Sequence, residues 1–225
     1  MNGILSSPRL LAAFDLSGMT SIAANAMYLV LGLLALWGAF CVIMVWLRVA
    51  QKRFRNESEQ DGFLVELEQL VTAGRFDEAY AALEGDLRAL PMLAQLAISN
   101  RQNGYTRVRQ QVTDRFQRDV LGDLEHRLSW VHTVIKAAPM VGLLGTVLGM
   151  MGAFAKLATG NNVDPTMLAE DISVALVTTA AGLSISIPLV LCVNSINVRI
   201  RKMEDLVALG LTRFFDVLRA VMGKS

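Results

Sequence analysis

The sequence predicts an all-α integral membrane protein: three transmembrane helices, with long helices extending into a cytoplasmic helical domain. The chain of 225 residues is 53% hydrophobic, with a mean hydropathy of +0.44, which is too apolar for an ordinary soluble domain. Three stretches, residues 27–47, 137–157 and 172–193, are apolar and long enough to cross the roughly 30 Å hydrocarbon core as helices. The segments between them space their apolar residues at the helical period rather than alternating them.

Residues 1–26 contain only Arg9 and Asp15 as charged groups. Their two apolar clusters, 4–14 and 22–27, read as a segment lying on the outer membrane–water interface. A cleaved signal peptide is not expected, because no basic residues precede the apolar run and the run that follows is too long. The first span, 27–47, carries Trp37 in its middle and Tyr28 and Trp46 near its ends, where interfacial aromatics sit. Arg48, Lys52, Arg53 and Arg55 follow at once, so the positive-inside rule places the N-terminus outside, in the periplasm, and residue 48 inside. Lys136 before the second span agrees, as do Arg199, Arg201 and Lys202 after the third. The outer loop, 158–171, has three acids and no basic residue, and Lys156 at the end of the second span can snorkel outward.

Residues 48–130 form the largest soluble part, a cytoplasmic helical domain in this topology. Phe63, Leu64, Leu67, Leu70 and Val71 repeat at helical spacing, Gly74 interrupts them, and Phe76, Ala79, Tyr80, Leu83 and Leu87 resume, which predicts an αα-hairpin. GRFDEAYAAL resembles part of a helical repeat, but no second copy exists. Pro91 opens another short helix, and Asn103-Gly104 marks a turn. Residues 105–130 then have helical periodicity and no proline, so they are expected to run on into the second span, with Pro139 as a kink. The organisation expected is therefore 1–26 periplasmic, 27–47 first span, 48–130 cytoplasmic domain, 131–158 second span with its approach, 159–167 periplasmic loop, 168–196 third span, and 197–225 a cytoplasmic helix. Asp164-Pro165 is a good cap and first position for the third span. Met203, Leu206, Val207, Leu211, Phe214 and Leu218 make an apolar stripe on the tail, expected to pack on the 48–130 helices.

The second and third spans form the core of the pattern. Gly142, Gly145, Gly149 and Gly152 fall at steps of three, four and three, on one helical face. Such a stripe is costly in water but lets backbones approach closely in lipid, so it reads as a packing face. Thr146 lies at its edge. Ala175, Thr179, Gly182 and Ser186 repeat the small-residue spacing on the third span, with Thr178 beside them and Ser173 and Ser184 on an adjacent face. Each hydroxyl has two readings: back-bonding to a carbonyl one turn earlier, or a polar group on an ion path.

Much chemistry is missing. Neither 137–157 nor 172–193 contains Asp, Glu, His or Arg, and Lys156 is the one charged group. If the protein moves ions, something else must therefore bring the charged carrier. No GxxxxGK[ST], GxSxG or HExxH is present, so no enzyme is expected. Cys41 and Cys192 lie in apolar spans, where neither a disulfide nor a metal site is expected. His126 and His132, six residues apart on one helix, face different directions and would not share a metal. A net charge of +1 gives no basic field for nucleic acid.

APMVGLLGTVLGMMGAF (138–154) and ISVALVTTAAGLSISIP (172–188) resemble the ExbB/TolQ/MotA family of ion-driven motor stators. The outer N-terminus, three spans and large cytoplasmic segment suit ExbB and TolQ better than MotA, which has an additional span. The resemblance covers about residues 27–215, but the two motifs are its specific part. It implies a homo-oligomer, a pentameric ring in the bacterial inner membrane, around a dimer of a single-span ExbD- or TolR-like partner that carries an aspartate in its span. Proton motive force would then drive a TonB- or TolA-like effector. Thr146 and Thr179 correspond by position to the family's pore threonines, with Thr178 adding an oxygen beside Thr179. The coupling ion would be the proton, with sodium the alternative, and no organic cofactor is implied. One departure stands out: where the family commonly carries a glutamate this chain has Val174. Glu170 lies one turn earlier with Asp171 next to it, and the pair reads either as an outer acidic collar or as first-turn residues favoured by the helix dipole. A non-conducting oligomeric scaffold, held together by the glycine faces, and a motility stator are the alternatives.

Overall fold

A computed structural model describes the backbone of residues 16–158 and 165–222, and side chains from residue 26 on, apart from residues 155, 156 and 158. The expectations for residues 1–15, the side chain of Lys156, the loop 159–164 with Asp164, and residues 223–225 lie outside the described residues. Helix is the only regular secondary structure among the described residues, which contain no strand. Its helices are α1 (Leu16–Lys52), α2 (Glu57–Thr72), α3 (Phe76–Leu83), α4 (Ala89–Ser99), α5 (Tyr105–Arg115), α6 (Gly122–Ala158) and α7 (Pro165–Met222). Three helical stretches, Ala26–Lys52, Tyr105–Phe154 and Pro165–Met222, are long and apolar enough to cross a membrane.

Two of these helices run on past the apolar spans. Helix α1 takes in Leu16–Lys52, so residues 16–26 are helical and continuous with the first span. SIAANAM offers no proline or glycine to stop it. Helix α7 starts at Pro165 and runs unbroken to Met222, so the third span and the tail are one helix.

The chain divides into two compact units, one of Met1–Phe40 and Val131–Leu191, the other of Cys41–Trp130 and Cys192–Ser225. In the second, the hairpin α2–α3 turns at Gly74, whose φ of +73° is the left-handed backbone that glycine adopts without strain. Arg88 closes the loop into α4. Its guanidinium lies 4.1 Å from the centre of the Phe54 ring and pairs with Asp86 at 2.5 Å and Glu59 at 2.8 Å. Burial opposes charge on Asp86, but the Arg88 hydrogen bonds overcome it and hold that carboxyl below its usual range. The expected tail stripe is buried at Met203, Val207, Leu211, Phe214 and Leu218, each contributing about 1.5–3 kcal/mol of burial. Leu206 is half-buried, and its carbonyl accepts a 2.6 Å hydrogen bond from the buried Gln60 amide on α2.

Between α5 and α6 the helix continues through a π segment, Phe116–Leu121. The buried residues Val108, Val112, Phe116, Val120, Leu124 and Leu128 recur at strict steps of four. On an α-helix each such step overshoots a turn by about 40°, so the stripe would wind off the core. A stretch of i→i+5 bonding, with roughly 4.4 residues per turn, rotates it back.

Candidate functional site

The site lies where α6 and α7 meet within the first unit. Gly142 sits so close to α7 that an added Cβ would lie 2.7 Å from the Thr178 carbonyl oxygen and 3.0 Å from the Thr179 Cα. At Gly145 it would lie 2.5 Å from the Thr178 hydroxyl, and at Gly149 2.6 Å from the Ala175 Cβ. Gly182 answers from α7, where a Cβ would lie 2.5 Å from the Ala138 carbonyl oxygen. Gly152 is half-buried. Two of these contacts, at Gly142 and Gly182, are with backbone, which cannot move aside as a side chain can. Helix α1 joins by a hydrogen bond from the Tyr28 hydroxyl to the Val174 carbonyl, 3.1 Å.

The three threonines occupy different environments. Thr146 is buried and donates to the Leu143 carbonyl of its own helix, 2.7 Å away. Thr178 is buried, with its hydroxyl 2.7 Å from the Ala175 carbonyl and 3.0 Å from the Gly142 carbonyl on α6, so one proton serves two acceptors. Thr179 is half-buried overall, yet its hydroxyl oxygen is enclosed and has no hydrogen-bond partner among the described residues. A buried hydroxyl is ordinarily satisfied, so this one is available both to donate and to accept. Thr146, while back-bonded, retains only its lone pairs.

Proline at 139 creates a second polar feature. It has no N–H, so the carbonyl one turn earlier, that of Ile135, loses its helical partner. The Ser186 hydroxyl on α7 is buried and donates to that carbonyl at 2.9 Å. Sequence reasoning singled out Pro139 but not the hydroxyl that serves the freed carbonyl. The i−4 rule names Ile135 from the sequence, but only the helix register brings Ser186 to it.

Glu170 is exposed and Asp171 half-buried, on the first turns of α7, and Val174 is exposed. His126 and His132 are exposed, and no cluster of three or more metal-ligating side chains occurs among the described residues. No carboxylate lies between residues 137 and 169, or between 172 and 193, except Asp164 in the outer loop. The faces of α6 and α7 away from the contact are apolar and outward, with Met140, Leu143, Val147, Leu176 and Ile187 all exposed.

The family model described as the MotA/TolQ/ExbB proton channel family matches residues 85–208, which includes both glycine-faced spans. The chain belongs to that family. It is 35% identical over 103 residues to the Tol-Pal system protein TolQ of Haemophilus influenzae, covering 45% of each chain. It is 41% identical over 87 residues to a putative biopolymer transport protein ExbB homolog of Methanothermobacter thermautotrophicus, covering 37% of this chain and 30% of that one. It is 38% identical over 74 residues to the biopolymer transport protein ExbB of Helicobacter pylori, covering 33% and 51%. The matches thus span about half or less of these relatives' lengths. For this MotA/TolQ/ExbB member, membrane embedding follows from the family together with the three long apolar helices.

Proposed function

We propose that this chain is an ExbB/TolQ-like channel subunit of a motor in the bacterial inner membrane. It would use proton motive force to energise outer-membrane transport or envelope processes. The observation that carries this reading is the Thr179 hydroxyl, enclosed and without a hydrogen-bond partner among the described residues, on a helix pair without a mid-membrane carboxylate or histidine. A proton path needs groups that titrate or hold water. Thr179 offers a polar relay and lacks only the titrating group, which a single-span partner of the ExbD/TolR kind brings as an aspartate. Thr179 then donates to the ionised carboxylate, and Thr146 accepts from the protonated one. Five copies around a partner dimer, passing force to a TonB- or TolA-like effector, complete the assembly. The N-terminus is periplasmic and the C-terminus cytoplasmic, as the basic residues after the first and third spans support. Sodium is the alternative coupling ion, and a motility stator the alternative setting.

A second reading, a non-conducting scaffold, is favoured by the back-bonding of Thr146 and Thr178. Affinity purification of the tagged protein from its native membrane in mild detergent separates the two. The motor reading expects co-purification of a small single-span protein with a mid-membrane aspartate. A homo-oligomer alone, found across several gentle detergents, contradicts it.

A further inference from the structure

In the second unit, a cavity of about 150 Å³ is lined by Arg53, Phe54, Arg55, Asn56, Glu57, Lys202, Met203 and Leu206. Three of its lining groups are cations, one is an acid, and Phe54 and Met203 supply a buried apolar floor. Arg53, Arg55 and Lys202 make no ion pair among the described residues, whereas Arg48, Arg88, Arg127 and Arg213 in the same unit are all paired with carboxylates. Three cations against one acid leave the lining net positive, which favours an anion among them.

The position of the cavity along the helices narrows the choice of anion. The Arg199 guanidinium stacks on the Trp46 ring at 4.1 Å, at the last turn of the apolar part of α1, where tryptophan marks the membrane–water interface. Lys202 lies one turn beyond Arg199 on the same face of α7, and Arg53 follows directly on Lys52, the last residue of α1. The cavity therefore opens about one to two turns past the hydrocarbon boundary, at the depth of lipid phosphates. Basic pockets at that depth hold anionic headgroups, with the apolar floor suited to the glycerol and upper acyl chain.

We propose that this cavity is a binding site for the phosphate of an anionic phospholipid headgroup, held by Arg53, Arg55 and Lys202. The shared chemistry is a phosphate ester, and the committed source is a membrane lipid. The site is independent of the ion path: it requires only that α1 and α7 be embedded in a membrane.

The test uses the full chain in detergent, titrated separately with short-chain phosphatidylglycerol, short-chain phosphatidylcholine and inorganic phosphate. Saturable binding of phosphatidylglycerol in preference to phosphatidylcholine is expected. It should weaken about fivefold for each cation removed in Arg53→Gln, Arg55→Gln and Lys202→Gln. A charge-matched control, Arg107→Gln with Arg109→Gln and Arg118→Gln, removes three exposed cations elsewhere in the unit and should leave binding within twofold. Equal weakening in the control overturns the site in favour of general electrostatic attraction. Inorganic phosphate that saturates the cavity as tightly as phosphatidylglycerol overturns the lipid source. Lys202 is exposed, so the Lys202→Gln variant keeps the test open should the triple variant fold poorly.

Discussion

Thr178 and Thr179 are adjacent in sequence, yet one hydroxyl is bonded twice and the other not at all. That contrast predicts opposite consequences for the same substitution. Thr178→Val removes a satisfied hydrogen bond and should lower stability by about 1 kcal/mol. Thr179→Val removes an enclosed, unpartnered hydroxyl and should leave stability unchanged or raise it by about 1 kcal/mol, while abolishing ion flux. Thermal melting in detergent and a flux assay read the two quantities separately. Asp86 offers a pH test at the same scale. Arg88 holds its folded-state carboxyl below the usual range, so its stabilising contribution is present above about pH 4 and fades as pH falls through the lower folded value. Asp86→Asn should therefore melt lower than the parent chain at pH 7, and the gap should close on acidification below pH 4.

At the scale of elements, Pro139 and Ser186 form a pair whose logic can be tested by a cycle. Ser186→Ala leaves the Ile135 carbonyl without its donor and should cost about 1–2 kcal/mol. Pro139→Ala restores an N–H to that carbonyl, so in its background Ser186→Ala should cost nearly nothing, as chemical unfolding in detergent would show. Equal costs in both backgrounds would refute the pairing. Gly142→Leu and Gly182→Leu meet backbone rather than side chains and should separate α6 from α7, with loss of the folded protein. Gly32 has open space around it, and Gly32→Leu should be tolerated. Much of this scale was legible in the sequence, because glycine spacing and apolar periodicity are local quantities. The αα-hairpin, its turn at Gly74 and the buried tail stripe are of this kind. The π segment was written there too, as a strict period of four from Val108 to Leu128, but a periodicity search tuned to 3.6 passes over it.

At the scale of the molecule, the helices leave much apolar surface outward. Only 17%, 28% and 28% of the residues in the three apolar windows are buried within the chain. Lipid, or lipid together with further protein, must cover the rest. Which carbonyl meets which hydroxyl depended on the register of α6 against α7, a long-range quantity that one sequence does not contain. The candidate threonines were therefore legible as a group, while their division into back-bonded and unpartnered was not. The absence of a mid-membrane carboxylate was legible at once, and it shapes the central claim: the chain supplies the polar wall of a path, and a second protein supplies the titrating group. The most direct measurement is proton flux into proteoliposomes that hold the complex co-purified through this chain, followed with an interior pH dye under an imposed potential. The account predicts flux in the parent complex and a loss of at least about tenfold, or 1.4 kcal/mol, in Thr179→Val with the complex still assembled. Undiminished flux in an assembled complex carrying both Thr146→Ala and Thr179→Val would contradict it.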